Sequence, residues 1–134
     1  MAGFRSKKSR GFTLIELMIV ISLILILVSV SVPIYSQSVL RARESVLRQD
    51  LFTLRSLISQ YTLDKQKAPQ SLDDLIQAHY LKFIPNDPMT SKADWTVEQE
   101  DSTIMSVDQQ DSGIDDVHSA SEGISTDGTA YNTW

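Results

Sequence analysis

The sequence predicts an α+β fold, in which one long amino-terminal helix packs on a small antiparallel β-sheet with a short second helix. Residues 12–32 form an apolar run with one charge, Glu16, and apolar residues then recur at helical spacing as far as Tyr61. Short β-prone segments separated by turn residues follow within residues 95–119. A small sheet covered by a helix satisfies the two-layer rule for a domain of this size.

The apolar run is long enough to cross a membrane. Its 21 residues would span roughly 31 Å as a helix, about the thickness of the hydrocarbon core of a bilayer. The alternatives are a buried helix of a soluble protein, which the remaining chain is too short to surround, and a secretory signal, whose apolar region is usually shorter. Four basic residues and no acid precede the run (Arg5, Lys7, Lys8 and Arg10). This bias predicts a cytoplasmic amino terminus and a carboxyl-terminal part across the membrane.

Glu16 is a carboxylate inside a segment of membrane-spanning length, and its burial there is costly. It either lies near the interface and reaches water or has a cationic partner. Cleavage after Gly11 would create a new amine on Phe12, one helical turn from Glu16, and in a packed assembly the amine of one chain could meet Glu16 of its neighbour. Pro33 lacks an N–H and clashes with the carbonyl of Ser29, so it either bends the helix or ends it.

These residues together resemble the processing signature of type IV pilins and of type II secretion pseudopilins. The matching pieces are a short basic leader ending in Gly11, then Phe12 and Glu16, an unbroken apolar run, and Pro33. The resemblance implies that a prepilin peptidase cuts after Gly11 and that Phe12 becomes the methylated mature terminus. It also implies that Glu16 guides subunit docking and that Pro33 bends the helix.

Three segments follow from this interpretation: a leader (residues 1–11), a transmembrane or filament-stem helix (12–33), and a periplasmic head (34–134). We expect the long helix to continue to about residue 64. Its apolar stripe comprises Leu40, Leu47, Leu51, Leu54, Ile58 and Tyr61. The charged residues of this stretch are expected mostly off the stripe; they are Arg41, Arg43, Glu44, Arg48, Asp50 and Arg55.

The rest of the head begins at a break over residues 68–71, after which Ser71 is expected to cap a short helix over residues 71–80. Residues 80–88, YLKFIPNDP, resemble a "YLK…P.DP" segment of the type II secretion major pseudopilin. Residues 95–97 and 103–107 are expected to form a hairpin around the turn at 99–102. A third strand over 113–119 resembles the "D(I/V)xS" strand of the same family.

Acidic residues crowd the end of the chain, where the carboxyl-terminal loop comprises residues 120–134; they are Asp111, Asp115, Asp116, Glu122 and Asp127. In the pseudopilins that the chain resembles, this loop commonly binds one calcium ion, which would implicate Glu122 and Asp127 here. The acidic pair that the family has near its final tryptophan corresponds to Thr129 and Ala130, which supply no carboxylate. Two hypotheses therefore stay open: a calcium site, or a metal-free loop in which packing of Tyr131 takes the place of the ion.

Charge and composition restrict the function further. Residues 1–60 carry eight Lys/Arg and three Asp/Glu, whereas residues 61–134 carry four and fourteen, which argues against nucleic-acid binding. The chain has no cysteine, so disulfides and thiolate metal sites are excluded. His79 and His118 are expected in surface or packing roles, and no motif indicates an enzyme.

The resemblance implies a structural subunit of the type II secretion pseudopilus. Such a subunit would assemble with itself, with minor pseudopilins and with an inner-membrane platform into a periplasmic filament that drives folded proteins across the outer membrane. One alternative is a type IV pilin that forms a surface fibre, although the absence of cysteine weakens it. The other is an uncleaved, signal-anchored periplasmic binding module.

Overall fold

The computed structural model of the chain describes residues 10–99 and 112–134. Its elements are α1 (Leu14–Lys65), α2 (Leu72–Gln77), β1 (Thr96–Gln99), β2 (Ile114–His118) and a final 3-10 helix (Tyr131–Thr133). Most of the expected leader, the expected strand over 103–107 and residues 100–102 of the expected turn lie outside the described residues, whereas Gln99, expected in the turn, belongs to β1. The predicted fold class is confirmed, because a long apolar helix, a short second helix and a small antiparallel sheet are all present.

The chain divides into two compact units, Met1–Ser38 and Val39–Trp134. In the first unit the helix passes through Pro33 without ending, so the alternative in which Pro33 terminates it is wrong. The serine hydroxyls of this apolar stretch donate to carbonyls of their own helix, as Ser22 does to Met18 at 2.7 Å and Ser31 to Leu27 at 2.8 Å. These bonds let an apolar helix carry serines without unsatisfied hydroxyls.

The apolar run at the start of α1, residues 14–32, is exposed at every position. One 18-residue window has a mean hydropathy of 2.9, and none of it is buried. By length and composition, α1 is able to cross a membrane.

The core of the second unit forms around the predicted stripe of α1. Leu47 and Leu54 are completely buried, whereas Leu40 is 37% exposed, so the buried stripe starts later than expected. The remaining hydrophobic members of the core are Leu51, Ile58, Leu72, Leu75, Trp95, Ile114, Val117 and Tyr131.

Helix α2 begins after Ser71, as predicted, and Asp73 and Asp74 occupy its first turn. The Asp74 carboxylate accepts the Ser71 backbone N–H at 3.2 Å, which is half of a capping box. The helix ends at Gln77, earlier than the expected residue 80, because His79 takes a left-handed conformation with φ of 63°. The Tyr80 N–H then donates to the Leu75 carbonyl at 2.9 Å, which closes a Schellman motif.

Strands β1 and β2 pair antiparallel, with Thr96 opposite His118 and Val97 opposite Val117. Only β2 contributes to the core, through Ile114 and Val117, whereas β1 is exposed. The start of β2 is fixed against the segment after α1, since the Ile114 N–H donates to the Pro69 carbonyl at 2.8 Å.

Candidate functional site

The expected processing residues lie at the start of α1. Arg10, Gly11, Phe12 and Glu16 line one open depression of about 390 Å³, and Phe12 is 81% exposed. Thr13 caps the helix, since its hydroxyl accepts the Glu16 backbone N–H at 3.2 Å. Glu16 thus occupies the third helical position, where the helix dipole favours a carboxylate. Sequence reasoning missed this cap, although Thr13 and Glu16 have the spacing of a capping box.

A buried carboxylate in the second unit, that of Glu44, holds the carboxyl-terminal loop. Glu44 is only 3% exposed, so the expectation that it lies off the stripe is wrong. Its Oε1 accepts the Thr126 backbone N–H at 2.7 Å and the Tyr131 hydroxyl at 2.8 Å. Its Oε2 accepts the Thr126 hydroxyl at 2.6 Å. Glu44 lies one turn before Leu47 on the same helix face, a position that could have revealed it.

The loop that Glu44 holds is a small closed turn. Ile124 and Ala130 form an antiparallel bridge, and the Ser125 N–H donates to the Thr129 carbonyl at 2.8 Å. The turn closes at Gly128, whose φ of 84° favours glycine. Thr129 and Ala130, which replace the acidic pair of the resembling family, are therefore part of this turn.

Burial alone would raise the pKa of Glu44, but hydrogen bonds from Thr126 and Tyr131 and the charge of Arg48 outweigh it. The pKa of Glu44 consequently lies below its usual value of 4.5. Burial and the Glu44 carboxylate together raise the pKa of Tyr131 to about 12. The tyrosine thus stays a neutral donor and the glutamate a charged acceptor at ordinary pH.

The residues expected to bind calcium are not arranged as a calcium site. Asp127 Oδ2 pairs with the Arg48 guanidinium at 2.6 Å, and Glu122 is exposed. Within residues 10–99 and 112–134, no three His, Asp or Glu side chains are grouped so that they could hold a metal ion. Calcium favours six to eight oxygen ligands, and this donor set does not fit that preference. Both hypotheses for the loop, with and without calcium, stay predictions.

Arg55 of α1 forms hydrogen bonds both with β2 and with Trp134. Arg55 Nε donates to Asp116 Oδ1 at 2.5 Å, and its Nη2 donates to the backbone oxygens of Val117 and Trp134, each at 2.9 Å. His118 Nδ1 lies 2.5 Å from the same Trp134 oxygen. His118 therefore has structural contacts, as expected for a packing role.

The two segments that resemble the major pseudopilin meet in the core. Asp87 belongs to the segment over 80–88 and Ser119 follows β2, and both are completely buried. The Ser119 hydroxyl donates to Asp87 Oδ2, and Asp87 Oδ1 accepts the Met89 N–H at 2.7 Å. Ser119 Oγ also accepts the Ser121 N–H at 3.1 Å. This contact joins the segment before β1 to the start of the carboxyl-terminal loop.

Comparison with known proteins bears on the amino-terminal end. The sequence matches the prokaryotic N-terminal methylation motif over residues 6–32. The chain carries a type IV prepilin-like signal. Comparisons with curated proteins and with solved structures found no match.

The residues that line the depression at the start of α1 all lie within the matched motif. Gly11, Phe12 and Glu16 fall inside the matched residues, whereas Pro33 lies one position beyond them. The signal is typical of membrane-anchored, pilin-like structural proteins, which agrees with the length and apolar character of α1. The individual roles of these four residues stay predictions.

Proposed function

We propose that the chain is the major subunit of a type II secretion pseudopilus. In this proposal it is cut after Gly11, methylated on Phe12, and held as a single-pass protein of the bacterial inner membrane with its head in the periplasm. It then assembles into a periplasmic filament that drives folded proteins across the outer membrane. Its partners are other copies of itself, the prepilin peptidase, minor pseudopilins and the inner-membrane platform.

The observation that carries this proposal is the methylation motif at the start of a helix whose apolar surface is unburied. A monomer in water would not leave so long an apolar surface uncovered. Lipid can cover it before assembly, and the apolar helices of neighbouring copies can cover it in a filament. Transfer between the two requires close packing and a partner for Glu16, because lipid and helices are similarly apolar.

The choice of a pseudopilin over a fibre-forming pilin has separate support. The buried contact between Asp87 and Ser119 gives a structural role to both segments that resemble the major pseudopilin. The chain also has no cysteine, whereas many pilins close the carboxyl-terminal loop with a disulfide. The surface fibre therefore remains the second candidate.

The first experiment determines the mature amino terminus. Intact-mass analysis of the membrane-extracted protein should show a chain that begins at Phe12 and carries one added methyl group. Retention of Met1 would refute assembly and favour the uncleaved binding module.

Glu16→Gln then separates helix capping from assembly. Glutamine is also accepted at this position of a capping box, so the variant should keep its helix and still be processed. Normal cleavage with loss of filaments would support a charge-dependent role for Glu16, and normal filaments would contradict it.

A deletion strain distinguishes the two filament systems. Exoprotein release and surface pili are measured in the deletion strain and in strains that express the wild-type chain or the Glu16→Gln variant. The proposal expects release to fail in the deletion strain and in the variant strain while surface pili persist. Loss of pili with normal exoprotein release would establish the fibre instead.

A further inference from the structure

The carboxyl-terminal loop is anchored to α1 by a buried carboxylate. Glu44 is buried on α1, and both of its carboxylate oxygens accept hydrogen bonds from the loop. Three bonds from two residues converge on one charged group. A calcium ion holds a loop in the opposite way, since it is a central cation that gathers oxygens from the chain.

The charged side chains around this anchor are balanced in sign. Arg41, Glu44, Arg48 and Asp127 line a depression of about 330 Å³, so two positive and two negative side chains face it. Asp127 already accepts a hydrogen bond from Arg48 at 2.6 Å. A divalent ion that bound Asp127 would have to displace this guanidinium and then lie beside it.

Further contacts fix the loop on either side of Glu44. Arg48 lies over the Trp134 ring at 4.3 Å, and the Trp134 indole N–H donates to the Thr129 hydroxyl at 2.7 Å. The Tyr131 N–H donates to the Gly123 carbonyl at 3.0 Å, which carries the 3-10 helix back onto the turn. Side chains of α1 and of the loop therefore hold the loop in place on both sides of Glu44.

We propose that the carboxyl-terminal loop of this subunit is held by Glu44 and folds without calcium. The carboxylate gathers backbone and hydroxyl donors from Thr126 and Tyr131, and this charge-assisted cluster replaces the metal centre. The proposal concerns the subunit itself and does not depend on which filament the subunit builds.

Hydrogen exchange of the full chain in detergent micelles tests this proposal. Exchange of peptides from residues 120–134 is followed by mass spectrometry in excess EDTA and in excess calcium. We expect the same exchange rates in both solutions. Glu44→Gln should accelerate exchange of the loop about tenfold in both, because a charged acceptor is lost.

Two milder variants test the same proposal in case Glu44→Gln does not fold. Thr126→Val removes one hydroxyl donor of the cluster from an exposed residue and should accelerate loop exchange a few-fold. Thr133→Val makes the same change within the same loop. The Thr133 hydroxyl donates to the nearby Ala130 carbonyl and not to Glu44, so this control should match the wild type.

Three results would overturn the proposal. The first is slower loop exchange in calcium that Asp127→Asn abolishes, which would establish a metal site. The second is a calcium effect that persists in Asp127→Asn, since the loop would still depend on the ion. The third is wild-type exchange in both Glu44→Gln and Thr126→Val, which would remove Glu44 as the anchor.

Discussion

Replacing Ser119 by alanine should destabilise the head more than the loss of one hydroxyl usually does. Its hydroxyl donates to the Asp87 carboxylate and accepts the Ser121 N–H, and both Ser119 and Asp87 are completely buried. Alanine would leave Asp87 Oδ2 without this donor at a place that water does not reach. A hydrogen bond to a charged group contributes about 1.5–3 kcal/mol, so we expect the free energy of unfolding to fall by about 2 kcal/mol.

For a domain of the size of the second unit, this loss corresponds to a fall in Tm of roughly 8–16 °C. Thermal unfolding of the full chain in detergent can be followed by the near-UV signal of Trp95, which lies in the core. The near-UV signal avoids the far-UV contribution of the membrane segment, which stays helical in micelles.

Ser45→Ala is the matched control for this experiment. Ser45 is exposed, and its hydroxyl donates to the Arg41 carbonyl of its own helix at 3.0 Å. Its loss should change the free energy of unfolding by less than about 0.5 kcal/mol. The reasoning fails if Ser119→Ala lowers the Tm no further than Ser45→Ala does.

Three further predictions concern the second unit. Gly113→Ala should cost about 1–3 kcal/mol, measured by urea unfolding, because its Cβ would lie 2.5 Å from the Ala68 Cβ; wild-type stability would contradict the close approach. Although burial opposes it, Arg55 holds the pKa of Asp116 below its usual 3.8, so the stability from this pair is present above that pH and is lost as pH falls through the folded-state pKa. Arg55→Gln should therefore flatten the acid side of a stability profile, and an unchanged profile would argue against the pair. The raised pKa of Tyr131 contributes stability that is complete below pH 10.0 and is lost as pH rises to about 12; this alkaline loss should be absent in Tyr131→Phe.

Periodic features of the fold could be predicted from the sequence. Leu47, Leu51, Leu54 and Ile58 lie where the helical stripe predicts, because repeated burial of one helix face leaves a regular pattern. The cap of α2 at Ser71 was equally accessible, since capping is a local interaction. These features depend only on residues close together in the chain.

The features that sequence reasoning missed depend on distant partners or on unusual backbone. Glu44 is one of the charged residues expected mostly off the stripe, because charge alone argues against burial, and the donors that compensate it lie 82 and 87 positions later. The end of α2 at Gln77 depends on a left-handed His79, a conformation that is uncommon for any residue other than glycine. The register of β1 against β2 is likewise a long-range property.

The uneven distribution of charge along the chain determines which elements of the second unit form ion pairs. No Lys or Arg occurs from Ala93 to Trp134, so carboxylates in this stretch that need a cation must find it on another element. Two of them find it on α1, where Arg48 pairs with Asp127 and Arg55 with Asp116. The Arg48–Asp127 pair is exposed and the Arg55–Asp116 pair is half-buried, so each contributes modest stability, but two pairs anchored on one rigid helix specify where the acidic chain lies. Glu44 makes a contact of the opposite charge between α1 and the carboxyl-terminal loop. It presents a carboxylate to the loop, whereas Arg48, one turn further along α1, presents a cation. The loop places donors opposite the Glu44 carboxylate and a carboxylate opposite Arg48, so α1 itself positions the loop. This is the physical reason to expect that the loop needs no ion.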